Sequence, residues 1–84
     1  MKFKEYGVIA RAARLKLGLT QKQIADSFGW TTPQFVSNIE SGKSFYPAHC
    51  LAIFPKATAR KLSDCEIRLQ IKRYKERKNE VQKA

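Results

Sequence analysis

Residues 18–42, GLTQKQIADSFGWTTPQFVSNIESG, constrain this chain more than any other segment. They admit two short helices joined by a tight turn and little else. Thr20 is an N-cap candidate for the first, because a short hydroxyl side chain can accept a hydrogen bond from a free first-turn amide. Gln21 to Phe28 then sets Ile24, Ala25 and Phe28 on one face at helical spacing. Ala25 is small where a second helix must cross closely. Gly29 can take the positive φ that ends a helix. Thr32 as N-cap and Pro33 at the first helical position signal the next start. Val36 and Ile39 face inward, and Gly42 closes the segment.

The flanks read as further helices. The first spans about Lys4 to Leu17, with Tyr6, Ile9, Ala10, Ala13 and Leu17 as an apolar stripe at intervals of three and four. Arg11, Arg14 and Lys16 lie off that stripe, and Gly18 ends the helix. After Gly42 comes a loop, Lys43-Ser44-Phe45-Tyr46-Pro47. A fourth helix is expected near Pro47 or Ala48, with Leu51 and Phe54 as core contacts. Pro55 has no amide hydrogen to donate, so it should kink or split that helix and leave a segment Lys56–Leu62. Ser63-Asp64-Cys65-Glu66 has the form of a capping box and predicts the start of a last helix running to about Glu80. Leu62, Cys65 and Leu69 give that helix one inward edge; Ile67, Ile71, Tyr74 and Val81 give another, interrupted by Lys78. Its outer face carries Arg68, Lys72, Arg73, Lys75, Arg77, Lys78 and Lys83 against Glu76 and Glu80. Residues 1–62 are thus read as the compact domain and residues 63–84 as a basic C-terminal helix.

Charge then narrows the class of partner. The chain has 84 residues, a formal net charge of +10 and a sequence pI near 10.0, so it is expected to meet a polyanion. Nucleic acid is the first candidate and an anionic membrane surface the second. No apolar run approaches the ~18 residues that cross a bilayer, and Met1-Lys2-Phe3-Lys4-Glu5-Tyr6 turns polar at once, unlike a signal peptide. A cytoplasmic location is expected, with Cys50 and Cys65 as reduced, semi-buried residues. Neither they nor His49 offers zinc-ligand spacing, so no metal and no cofactor are expected. One histidine, no glycine-rich phosphate loop and seven scattered acidic residues give no catalytic constellation. The chain reads as a non-enzyme.

The outer face of the second short helix carries Gln34, Ser37 and Asn38. Gln and Asn can make paired hydrogen bonds to an adenine edge, and Ser can bond several bases. At these residues the stretch resembles the helix-turn-helix of the phage-repressor and Cro-like proteins, the XRE family. The resemblance is carried by Leu17-Gly18-Leu19-Thr20-Gln21, Ile24-Ala25, Gly29 and Val36-Ser37-Asn38-Ile39-Glu40-Ser41-Gly42-Lys43, and covers roughly residues 5–55. There is one departure. Trp30 is an extra residue between the glycine and the recognition helix, relative to members with the shortest turn, and could swing that helix slightly.

The resemblance implies an all-α, lambda-repressor-like domain of about five helices. It implies base contacts from Thr32, Gln34, Phe35, Ser37 and Asn38, and phosphate contacts from Arg14, Gln21, Lys22, Thr31, Lys43 and Ser44. Phe35 can touch a thymine methyl or pack on Trp30; both readings stand. At the matching family positions Arg14 and Glu40 form an ion pair that fixes the recognition helix and leaves Arg14 near a phosphate. Phe45 and Tyr46 replace residues often polar or basic in the family, which shifts that loop toward a dimer contact. Ile67, Ile71 and Tyr74 are the other dimer candidates. The basic C-terminal helix is open to three readings: a solvated face, added DNA contact, or dimerisation.

The function expected is a sequence-specific regulator of transcription, a repressor binding a palindromic operator as a homodimer, of bacterial or phage origin and associated with the nucleoid. With no room for a ligand-sensing domain, control would come from its own concentration or from a partner protein. One alternative is an antitoxin that binds a toxin partner and represses its own operon. Another is an adaptor that bridges proteins, with nucleic-acid contact incidental.

Overall fold

The computed structural model describes the backbone of residues 2–83 and the side chains of residues 2–77. The side chains of Lys78, Glu80, Val81 and Lys83, named above for the C-terminal helix, lie outside the described residues. Helix α1 spans Lys4–Lys16, α2 Gln21–Ser27 and α3 Gln34–Glu40; a 3₁₀ helix, Ala48–Ile53, precedes the long α4, Lys56–Lys83. The described residues hold these five helices and no strand, an all-α fold of the lambda-repressor-like kind.

Helix α1 is the hub, packed on α3 along one side and on α4 along another, while α2 packs on α3 and the 3₁₀ helix on α4. Tyr6, Ala10 and Ala13 are the buried stripe of α1; Ile24 and Ala25 come from α2, and Val36 and Ile39 from α3. Cys50, Leu51 and Phe54 close the core under Leu62 and Cys65 of α4. Fully burying one such apolar side chain stabilises the fold by roughly 1.5–3 kcal/mol. Leu17, expected on the inward stripe of α1, is 37% exposed. The α-helix ends one residue earlier, at Lys16, and the chain there turns away from the core.

Two close approaches lock α1 to α3. A Cβ on Gly7 would lie 2.4 Å from the Glu40 carbonyl oxygen, so only glycine lets the two backbones touch. Gly42 has φ +86°, and a Cβ there would lie 2.8 Å from the Lys4 nitrogen. Its carbonyl accepts from the Phe3 amide at 2.9 Å. The chain just before α1 is thus tied to the turn that ends α3.

The last helix does not begin at Ser63. It runs unbroken from Lys56, directly after Pro55, across the proposed 62/63 boundary. The Ser-x-x-Glu pattern acts as a start only if the chain ahead of it is extended. Here Leu62, Cys65 and the half-buried Leu69 form one continuous stripe, and no Gly or Pro lies between Lys56 and Lys83. Breaking the helix would sacrifice backbone hydrogen bonds and that stripe together.

Candidate nucleic-acid interface

Helix α2 starts with reciprocal hydrogen bonds. The Gln23 amide donates to Thr20 Oγ1 at 3.1 Å, and the Thr20 amide donates to Gln23 Oε1 at 2.8 Å. This fixes the first turn and frees Gln21 and Lys22 to point elsewhere. Lys22 is exposed. Gln21 Nε2 donates to Glu40 Oε1 at 3.1 Å, reaching the last residue of α3.

Glu40 is the anchor of the motif. Arg14 donates to it twice, from Nε to Oε2 at 2.7 Å and from Nη2 to Oε1 at 3.1 Å. Its Nη1 donates to the Leu19 carbonyl at 2.9 Å. The two side chains are only 10% and 5% exposed. Hydrogen bonding to Glu40 outweighs the desolvation of Arg14 and holds its pKa above an already high ordinary value. The pair therefore ties α1, α2 and α3 at one point. The same geometry corrects the phosphate role expected for Arg14: its guanidinium is buried and already committed to Glu40 and Leu19, so it offers no free charge at the surface.

The start of α3 lies one residue later than expected, at Gln34, with Pro33 in the cap position at φ −77° and ψ 0°. Thr32 Oγ1 still accepts from the Gln34 amide, at a long 3.4 Å. Pro33 supplies the first backbone acceptor, its carbonyl receiving the Ser37 amide at 3.0 Å. Boundary differences of one residue are ordinary where a helix opens through a turn.

Outward from α3, Thr31, Thr32, Gln34 and Phe35 are exposed, while Ser37 and Asn38 are half-buried. Together with Gly29 and Trp30, most of them line a shallow groove: Thr31, Thr32, Gln34, Phe35 and Asn38. Gln34 Nε2 donates to Asn38 Oδ1 at 2.9 Å, which aligns the two amides along the groove. Phe35 packs on Trp30, ring centroids 4.7 Å apart, yet remains 42% exposed. Packing on Trp30 therefore still leaves part of the Phe35 ring facing outward. Trp30 itself sits between Phe28 at 4.9 Å and Phe35, with Tyr46 stacked at 6.3 Å and 12°. The residue that lengthens the turn is thus an aromatic wedge between the core and α3.

Beyond α3, Lys43 is exposed and Ser44 half-buried; the Lys43 amide donates to the Asn38 carbonyl at 2.9 Å. Tyr46 is a core residue at 2% exposure, which corrects its assignment to a dimer surface. It contacts Phe28, Trp30 and Phe54, and its amide donates to the Tyr6 hydroxyl at 3.2 Å. Phe45 is half-buried against Phe3 at 4.2 Å and Tyr6 at 4.8 Å, so it too serves the fold first. Ile67, Ile71 and Tyr74 stand outward at 55%, 49% and 67% exposure.

Sequence reasoning missed Gly7, Phe3 and the Gln23 partner of Thr20. The last had a readable signal, since Thr followed three residues later by Gln is a helix-start pattern. Phe3 lies in a polar run, and nothing local marks it as buried.

Residues 11–44 match the family model described as Helix-turn-helix. Searches of curated proteins and of solved structures gave no match. The matched span takes in the Arg14–Glu40 anchor, the α2–turn–α3 unit and the first residues after it. No helix among the described residues is long and apolar enough to cross a membrane. With the anchor, the turn and the outward polar face in place, residues 11–44 form a helix-turn-helix unit similar to that of the phage-repressor and Cro-like (XRE) proteins.

Proposed function

We propose that the protein is a repressor that binds a palindromic operator in duplex DNA as a homodimer, one α3 in each major groove. The observation that carries this reading is the division of α3 into two faces. Val36 and Ile39 are fully buried and Glu40 is pinned by Arg14 and Gln21, so the helix is rigidly held from behind. Its free face presents Thr32, Gln34, Phe35 and Asn38, with Ser37 at the edge. That is a fixed set of hydrogen-bonding groups with one apolar side chain, the chemistry that reads base edges and thymine methyls. Gln21, Lys22, Thr31, Lys43 and Ser44 flank it and supply phosphate contacts that set register.

One recognition helix reads too few base pairs to mark a site among the ~10⁶ or more competitors in a genome. Two copies related by a two-fold axis read half-sites about one turn of DNA apart. Bound there, the protein excludes transcription machinery by occupancy. Selection of bound duplexes from random-sequence DNA tests this. An enriched palindrome with half-sites about 10 base pairs apart is expected; enrichment of no sequence would refute the reading, and a single asymmetric half-site would refute the dimer.

A further inference from the structure

The stripe of α4 that packs on α1 changes character along its length. Leu62, Cys65 and Leu69 cover the core. One and two turns further along the same side, the helix has passed the start of α1, and the residues become Lys72, Arg73, Glu76 and Arg77, all exposed. With Lys2 and Leu69 they line a groove under the projecting helix. Four of its six lining residues are cationic and one is acidic. From Gln70 to Lys83 the helix runs on for about 20 Å at 1.5 Å per residue, and the molecule's longest dimension is 47 Å. Such a projection buries little apolar surface of its own, so the fold gives no reason for its underside to be basic.

A chain of packed residues links this groove to the loop that follows α3. The Arg73 guanidinium lies 5.6 Å over the Phe3 ring. The Phe3 amide donates to Gly42, and the next residue is Lys43, a flanking phosphate candidate. Phe3 also packs, with its ring tilted, on Phe45 of the loop that follows α3. A short chain of contacts therefore joins the cationic underside of α4 to the end of the recognition helix.

We propose that Lys2, Lys72, Arg73 and Arg77 form a second, sequence-independent DNA contact, in which the projecting part of α4 holds the phosphate backbone beside the half-site. The inference rests on the DNA-binding reading above and extends its footprint. Phosphate fits the groove because these cations are exposed, sit on both its walls and outnumber the one carboxylate among them. Arg73, held over Phe3, supplies the fixed member of the set; Lys72 and Arg77 supply mobile ones.

The test is binding of the full chain to a random-sequence 40-base-pair duplex, read by fluorescence anisotropy as a function of salt. Removing one cation from a phosphate should reduce the slope of log K against log salt by about 0.9. A K72Q/R77Q variant should therefore have a slope shallower by about 1.8 per protomer, so that raising salt from 50 to 200 mM weakens it about tenfold less than the wild type. The charge-matched K56Q/R60Q variant, altered at the opposite end of α4, should keep the wild-type slope. Circular dichroism checks that both variants are folded; all four replaced residues are exposed. Equal slopes for K72Q/R77Q and wild type would overturn the inference and leave the DNA-binding reading intact. An equal reduction in K56Q/R60Q would overturn it too, by showing only a general charge effect. Wild-type protein without salt-dependent DNA binding would sink both. Binding to phosphatidylserine vesicles that K72Q/R77Q abolishes, with DNA slopes unchanged, would assign the groove to a membrane instead.

Discussion

Asn38 shows how a single side chain can be both placed and available. Its carbonyl oxygen Oδ1 receives Gln34 Nε2, and its backbone carbonyl receives Ser41 Oγ and the Lys43 amide. These bonds fix the residue at the point where α3 gives way to the loop. Its Nδ2 donors and one remaining Oδ1 lone pair are left for a base edge. Asn38→Ala should weaken binding to the selected site by about 1–3 kcal/mol while leaving binding to random duplex nearly unchanged. Retention of full discrimination by the variant would show that Asn38 reads no base. Tyr6 makes a different residue-scale claim. Burial pushes its hydroxyl up to about 12, against the ordinary 10.0, and burial raises Tyr46 as well. Between pH 10 and 12 the folded state keeps a proton that the unfolded state has released, so stability falls as pH rises through that window. For Tyr6 the loss is on the order of 2–3 kcal/mol. Urea unfolding at pH 8 and pH 11.5 should show a smaller drop for Tyr6→Phe than for wild type. The baseline of that variant should be lower, because the buried Tyr46 amide loses its acceptor. Identical drops would show that Tyr6 is not the titrating group.

At the scale of elements, the sequence speaks clearly where structure is decided locally. The start of α2 at Thr20, the turn at Gly29, the closure at Gly42 and the interruption at Pro55 are all backbone matters settled within a few residues, and each is legible in the residues themselves. The outward face of α3 is legible for the same reason, since helical spacing alone separates Gln34 and Asn38 from Val36 and Ile39. What was not legible depended on partners far along the chain. Tyr46 looks like a loop aromatic until Tyr6 and Phe28 are brought beside it. Arg14 pairs with Glu40 as the resemblance implies, but its phosphate role looks open until the Leu19 carbonyl takes up the rest of its guanidinium. Ser63 looks like a helix start until Leu62 and Cys65 are seen buried on one continuous stripe. The two placements of Ser63 predict opposite signs. In a cap, Ser→Ala costs typically about 1 kcal/mol. In a helix interior, as observed, Ala is the better helix former by up to about 0.7 kcal/mol. Ser63→Ala should therefore raise the midpoint of urea unfolding slightly, and a lowered midpoint would contradict a continuous α4.

Considered as a whole, the molecule separates its surfaces. The α3 face is the one proposed to read bases, the buried anchor at Glu40 holds that face from behind, and α4 carries much of the positive charge away from the core. Assembly has to be built from what remains outside. Of the dimer candidates, Tyr46 is buried and Phe45 packs on Phe3 and Tyr6, so we propose Ile67, Ile71 and Tyr74 as the surface for a second copy. These residues follow steps of four and three along one helical ridge, on the side of α4 that faces away from the Leu62–Leu69 stripe. The ridge is short, and the cations beside it repel a like-charged partner, so the pair should form weakly in solution. On the proposed operator, duplex DNA would change the balance by neutralising those charges and holding two copies about one turn apart. A cut after Leu62 would be a poor test, since it removes Cys65 and Leu69 from the core. Substituting Ile67→Glu together with Ile71→Glu leaves the buried stripe intact. That variant should bind an isolated half-site as the wild type does and lose cooperative binding to the palindrome. In sedimentation with palindromic DNA it should appear as one copy per duplex at concentrations where the wild type gives two. If it still loads two copies cooperatively, α4 is not the dimer element.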